Sequence, residues 1–153
     1  MTEEERARAY LVKLFKHRPR SRYEVFARLH QKGFSQEIIE SVLEQAAHAG
    51  IVDDAKFAQL WVEDRLARRP RSRRMLEREL RAKGIAPEHI QQAIARAGLD
   101  EEALARQLVA ERLPRLRLLD EQTRLRRLVG FLRRRGFSER VIRQALQESD
   151  REG

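Results

Sequence analysis

One short phrase is written three times in this chain: LHQKGFS at 29–35, LRAKGIA at 80–86 and LRRRGFS at 132–138. Aligned on their glycines, Gly33, Gly84 and Gly136 stand 51 and 52 residues apart. Upstream, Val25, Leu76 and Leu128 share a column, as do Leu29, Leu80 and Leu132. Downstream come Phe34, Ile85 and Phe137, then Ile39, Ile90 and Ile142, then Leu43, Ile94 and Leu146. These columns keep helical spacing on both sides of the glycine. Each unit therefore predicts a helix, a glycine able to take the left-handed conformation just past its end, and a second helix.

The start signals agree with this phasing. Ser21 and Glu24 form a capping box for the first such helix. Ser35 and Ser138 follow the glycine turns as N-caps, and Pro87 takes the N1 place in the middle unit. One more helical pattern precedes each pair. It carries Tyr10, Leu11, Leu14 and Phe15 over roughly 3–17, Phe57, Leu60, Trp61 and Ala67 over roughly 54–69, and Leu104 and Leu108 over roughly 101–113, closed by Pro114. The expected fold is all-α: three tandem three-helix repeats, 1–52, 53–98 and 99–153, stacked into an elongated, curved array. The repeated phrase is read as the helix–turn–helix joint of each unit.

Charge narrows the partners. Lys and Arg total 33 against 24 Asp and Glu, a net charge of +9. Basic and acidic residues number nine and seven in 1–52, eleven and seven in 53–98, and thirteen and ten in 99–153. The excess thus favours the middle and last repeats and suits a polyanion such as nucleic acid, or an acidic protein surface. In the helix expected over 72–83, Leu76 and Leu80 set the buried stripe, and Arg74, Arg78 and Arg81 fall on the opposite side. RRPRSRR at 68–74 adds Arg68, Arg69, Arg71 and Arg73. In the third repeat Leu125, Leu128, Val129 and Leu132 form the expected apolar stripe, with Arg126, Arg127, Arg133 and Arg134 away from it and Arg124 and Arg135 flanking. The contact candidates are Arg68, Arg69, Arg71, Arg74, Arg78, Arg81, Arg127, Arg133 and Arg134. A planar guanidinium fork binds two oxygens of a phosphate or carboxylate, and phosphate contacts position a protein without reading sequence.

Catalytic chemistry finds no foothold. There is no Cys, and His17, His30, His48 and His89 are scattered over separate helices with no i, i+4 pair for a metal. Asp53-Asp54 and Asp100-Glu101-Glu102 open helices, where the macrodipole accounts for them. The sequence holds no GxxxxGK[ST] loop, no GxGxxG after a strand and no GxSxG elbow. Trp61, four residues after Phe57, is read as core rather than as a platform for a base. No enzyme activity and no cofactor are expected. The opening MTEEERARAY lacks an apolar signal core, and no apolar run approaches a membrane span, so a cytoplasmic protein without membrane contact is expected.

A helix–turn–helix also fits a stand-alone DNA-binding regulator. However, the helices after the three glycines begin QEII, PEHI and ERVI, and acidic starts approach DNA poorly. A purely protein-binding scaffold is a third reading.

The stretch AGIVDDAKFAQLWVEDRLARRPRSRRMLERELRAKGI, 49–85, resembles the core signature of the RecX family of bacterial regulatory proteins. Gly50, Asp53, Asp54, Phe57, Ala58, Arg65, Leu76, Glu79, Leu80, Lys83, Gly84 and Ile85 fill its places. FLRRRGFSERVI, 131–142, is similar to the family's C-terminal signature, and SRYEVFARLHQKGF, 21–34, more loosely to its opening. The chain departs from the pattern in carrying Pro70-Arg71-Ser72 where members have Gly-Pro or a similar pair. The resemblance implies a three-repeat protein that lodges in the groove of the RecA filament on single-stranded DNA. A monomer is expected, and its basic faces suit single-stranded and also duplex DNA. It also implies that such a protein suppresses RecA filament extension, ATPase, strand exchange and coprotease activity.

Overall fold

The computed structural model describes residues 1–152, with side chains described through Asp150. The described residues form nine α-helices and no strand: α1 Glu3–His17, α2 Arg22–Gln31, α3 Gln36–His48, α4 Asp54–Arg68, α5 Arg73–Ala82, α6 Pro87–Ala97, α7 Glu101–Arg112, α8 Glu121–Arg134 and α9 Glu139–Glu152. A 3₁₀ turn, Leu113–Leu116, carries Pro114 at the end of α7. The described residues divide into two compact units, one of residues 1–61 and 79–96 and the other of 62–78 and 97–152. Helices α4 and α5 each begin in one unit and end in the other.

Polar caps set the helix starts. Ser21 accepts from the Glu24 N–H while Glu24 reaches back to the Ser21 N–H, closing the capping box. Ser35 and Ser138 accept from the N–H groups of Ile38 and Val141. Thr2 and Glu5 form a second capping box, at the start of α1.

The repeated phrase is a Schellman turn with a fixed job for each residue. Gly33, Gly84 and Gly136 have φ of 92°, 76° and 89°. Their N–H groups donate to His30, Arg81 and Arg133, and the next N–H groups, of Phe34, Ile85 and Phe137, donate back to Leu29, Leu80 and Leu132. In this turn the residue after the glycine also packs on the helix residue whose carbonyl it caps. That pairing explains why a large apolar side chain flanks the glycine on both sides. The three leucines are fully buried.

Within the first unit the buried Ala7, Leu11, Leu14, Val25, Leu29 and Ile39 are part of one core. Within the second, Ala105, Leu108, Leu128, Phe131, Leu132 and Ile142 are part of another. Thirteen of the fifteen aligned apolar positions are buried, Phe34 and Leu146 being partly exposed. Elsewhere the stripes need correcting. Leu125 is 48% exposed, because it lies a turn before the first buried column, and Phe131 fills the inner face instead. In α4 the inward side is Phe57, Ala58 and Val62. Leu60 and Ala67 lie about 180° round the helix from Ala58 and are exposed. Trp61 stacks on Phe57 at 5.8 Å but is only half-buried, its Nε1 donating to Glu79 at 3.1 Å.

Successive repeats meet at the same kind of joint. In the first unit a Cβ placed on Gly84 would stand 2.5 Å from the Cβ of Tyr23, in the first turn of α2. Beside it Lys83 Nζ donates to Glu24 at 3.1 Å, and Asp54 accepts from the Arg22 N–H at 2.8 Å. In the second unit a Cβ on Gly136 would stand 2.5 Å from Ser72 Oγ, at the start of α5. The Ser72 N–H donates to the Arg135 carbonyl at 2.9 Å, and Arg135 Nη1 donates to the Pro70 carbonyl at 2.7 Å. At Gly33, by contrast, there is open space where a Cβ would lie.

Two outcomes follow for stability. Gly33→Ala should cost about 1 kcal/mol, the strain of a left-handed alanine. Gly84→Ala and Gly136→Ala should each cost about 2–4 kcal/mol, since overpacking adds to that strain. Urea midpoints of the three variants give the comparison, and equal losses would refute the joint. The second outcome concerns Glu24. Burial acts to raise its pKa, but hydrogen bonds from Arg18, the Ser21 N–H and Lys83, with the Lys83 charge, outweigh burial and bring it from 4.5 down to about 2. A depressed folded pKa stabilises above the unfolded value. The contribution, on the order of 2 kcal/mol after solvent screening at the exposed Arg18, should therefore be full above pH 4.5 and vanish as pH falls to about 2. Glu24→Gln should lower neutral-pH stability and flatten the urea midpoint over that window.

Candidate polyanion-binding surface

The candidate arginines differ in what the fold leaves them free to do. On α5, Arg74 and Arg78 are exposed in the second unit, and Arg81 is exposed on the part of the helix that belongs to the first. Arg68 is exposed but lies 3.1 Å from Asp64, one helical turn earlier. Arg133 makes two bonds to Glu139, at 2.7 and 3.1 Å. The Arg133 hydrogen bond and charge hold the Glu139 carboxyl below its usual range. Arg71 is the exception to exposure. Only 8% exposed, it turns inward, its Nε donating to the Arg69 carbonyl at 3.0 Å.

The second unit gathers other arginines that share no sequence stripe. Phe131, 5% exposed, lies under two guanidiniums: Arg112 Cζ is 3.7 Å from its ring centroid and Arg135 Cζ 4.8 Å. An aromatic face attracts a cation, so the ring fixes both groups in place. Burial, then the charges of Arg69, Arg112, Arg71 and Arg134, push the Arg135 pKa below the usual arginine range. Among the described residues Arg69, Arg112, Arg134 and Arg135 make no salt bridge. A bound anion would relieve this repulsion, since like charges held in a partly dry site repel more than in water.

Two clefts open on this cluster. One, of about 410 Å³, is lined by Arg112, Arg126, Arg127 and Arg134 over Leu116, Leu128 and Gly130. The other, of about 160 Å³, is lined by Arg68, Arg112, Arg115 and Arg135, with Glu111, Pro70, Leu108 and Phe131. The structure thus brings Arg127 and Arg134 together, joins them to Arg112 and Arg126, and places Arg69 and Arg71 around Arg135. Arg112 and Arg115 were absent from the sequence-derived set because they come from the end of α7 and the 3₁₀ turn. Only packing against α8 brings them to the same clefts. No group of three metal-ligating side chains occurs among the described residues, nor is any helix long and apolar enough to cross a membrane.

Comparison with known proteins places this geometry. Residues 7–45, 53–94 and 100–146 match the first, second and third three-helix domains of RecX, respectively. The chain belongs to the RecX family. It is 42% identical to the regulatory protein RecX of Streptomyces coelicolor over 149 residues, which is 94% of this chain and 79% of the relative. It is 40% identical to that of Mycobacterium marinum over 159 residues, 98% of this chain and 91% of the relative. The crystal structure of RecX from Lactobacillus salivarius superposes with a TM-score of 0.80 at 16% identity, covering 97% of both chains. That likeness speaks for the fold.

The RecX signature residues have structural duties here. Asp53 accepts from the Lys56 N–H to cap α4, while Asp54 caps the start of α2. Phe57, Ala58, Leu76 and Leu80 are buried, Glu79 holds Trp61, and Lys83 and Gly84 build the joint. The turn at Pro70-Arg71-Ser72, where the chain departs from the family pattern, receives Arg135 and Gly136. The signature therefore describes how repeats stack, and the basic clefts lie outside most of it. Arg127→Gln is expected to lower the log–log salt slope of oligonucleotide binding by about 0.7–0.9, one phosphate contact. Arg133→Gln should change it far less, because Glu139 already neutralises that guanidinium. Fluorescence anisotropy across a salt series measures both.

Proposed function

We propose that this RecX family member is a non-catalytic modulator of the RecA recombinase, working in the cytoplasm as a monomer. It binds in the groove of the filament that RecA forms on single-stranded DNA and suppresses extension, ATPase, strand exchange and coprotease activity. Membership of the RecX family, with all three of its helical domains matched, carries this reading. The unneutralised arginines of the second unit support it, because a nucleoprotein filament offers both phosphates and acidic side chains. Inhibition needs no chemistry of its own. A protein that binds one filament state better than another shifts the filament toward the preferred state by its difference in affinity.

The test is a titration of the chain into RecA filaments on single-stranded DNA while ATP hydrolysis is followed. Hydrolysis should fall in a saturable manner. The chain alone should bind DNA with steep salt dependence and no sequence preference. Tight sequence-selective duplex binding in the absence of recombinase, with hydrolysis unchanged, would sink the reading.

A further inference from the structure

Gly130 has no backbone reason to be glycine. It lies inside α8 and has no positive φ. A glycine at such a place destabilises a helix by about 1 kcal/mol relative to alanine. Nor is it there to admit a neighbouring backbone, since an added Cβ would meet only the Nη1 of Arg134, at 3.2 Å. What its missing side chain leaves is the floor of the 410 Å³ cleft, with Arg112, Arg126, Arg127 and Arg134 around it. Arg112 also lines the 160 Å³ cleft beside Arg68, Arg115 and Arg135, so the two clefts adjoin.

We propose that these adjoining clefts of the second unit form one phosphate track, holding consecutive phosphodiesters of a single-stranded nucleic acid without contact to its bases. The proposal rests on the reading that the chain meets a nucleic-acid-bound filament, and it assigns where the strand lies. Two features favour a nucleic-acid backbone over an acidic protein, and a third argues against contact with the bases. The guanidiniums line recesses rather than a flat patch, and a phosphodiester chain presents one charge per residue at regular spacing. One arginine, Arg112, lines both recesses, which makes them continuous for two successive phosphates. The aromatic ring at the site, Phe131, is buried beneath Arg112 and Arg135, which leaves no exposed face on which a base could stack. Two carboxylates border the track: Glu111, which accepts from Gln107 at 3.2 Å, and Asp120, which Arg126 faces. Neither makes a salt bridge among the described residues.

The experiment uses the full chain and two labelled probes, an oligothymidine and an abasic phosphodiester of the same length, without recombinase. Both probes should bind alike. Arg112→Gln with Arg134→Gln should weaken both at least tenfold and reduce the salt slope by about 1.4, two single-strand phosphate contacts. Gly130→Leu, which fills the floor with a good helix former and changes no charge, should weaken binding about fivefold or more while the thermal midpoint holds or rises. Lys13→Gln with Lys16→Gln removes the same charge from exposed positions on α1 and should change affinity less than twofold.

Loss of binding with the abasic probe would overturn the proposal, as would unchanged affinity in the Arg112/Arg134 or Gly130 variants. Competition by a glutamate-rich peptide, equal per charge to that of the oligonucleotide, would reassign the clefts to an acidic protein. The filament assay separates this site from the wider reading. If the wild-type chain inhibits RecA but the variants bind DNA normally, the track is wrong and the modulator stands. If the variants lose DNA as expected while the wild-type chain leaves RecA hydrolysis untouched, the track stands and the modulator falls.

Discussion

The structure depends on one close approach: a left-handed glycine at the end of a helix, pressed against the first turn of the corresponding helix in the repeat before it. Gly84 meets Tyr23, and Gly136 meets Ser72, at distances where no Cβ fits without a shift. The glycine ends its own helix and also admits its neighbour, and only a residue with no side chain can do both. Around it the polar groups at the helix starts find partners in the adjacent repeat. The Arg22 N–H goes to Asp54, and the Ser72 N–H to the Arg135 carbonyl. A helix leaves its first N–H groups without internal acceptors, so a joint placed there satisfies donors that would otherwise require water.

Because so much of the signature is committed to this joint, it carries little information about ligands. Asp53, Asp54, Glu79 and Lys83 are charged residues that a motif reading could take for a site, yet each is bonded within the fold. The chemistry left over belongs to arginines that the joints do not consume. Arg135 is the instructive intermediate. It donates to Pro70 across the joint of the second unit, packs on Phe131, and still stands among four guanidiniums that lower its pKa once burial has begun to do so. A residue that helps fasten one repeat to the next thereby contributes positive potential to a cleft, and stacking becomes coupled to surface charge. The fold tolerates that concentration of charge because most of the guanidiniums keep contact with water, where repulsion is weak.

The helical period was plain in the sequence because buried residues recur with it. The columns headed by Val25, Leu29 and Ile39 are buried in all three repeats. Errors arose where one helix was read without its neighbours. Leu60 and Leu125 are large and apolar, yet 40% and 48% exposed, and that exposure records incomplete packing around them rather than any property of the side chain. Arg71 erred in the opposite sense. It lies in a dense run of arginines, yet the turn at Pro70 directs it inward to a backbone carbonyl. Trp61 is held between the core and the surface, half-buried, with its ring on Phe57 and its N–H on Glu79.

What the sequence by itself determined was local: helix starts fixed by caps, helix ends fixed by glycine, a repeat of fixed length, and the sign of the surface. These depend on interactions spanning a few residues, so a single strand of text contains them. The grouping of Arg112 and Arg115 with Arg126, Arg127, Arg134 and Arg135 was decided only by tertiary structure. Separate helices had to pack before their charges could share a cleft, and the angle at which a side chain leaves a packed helix depends on its neighbours.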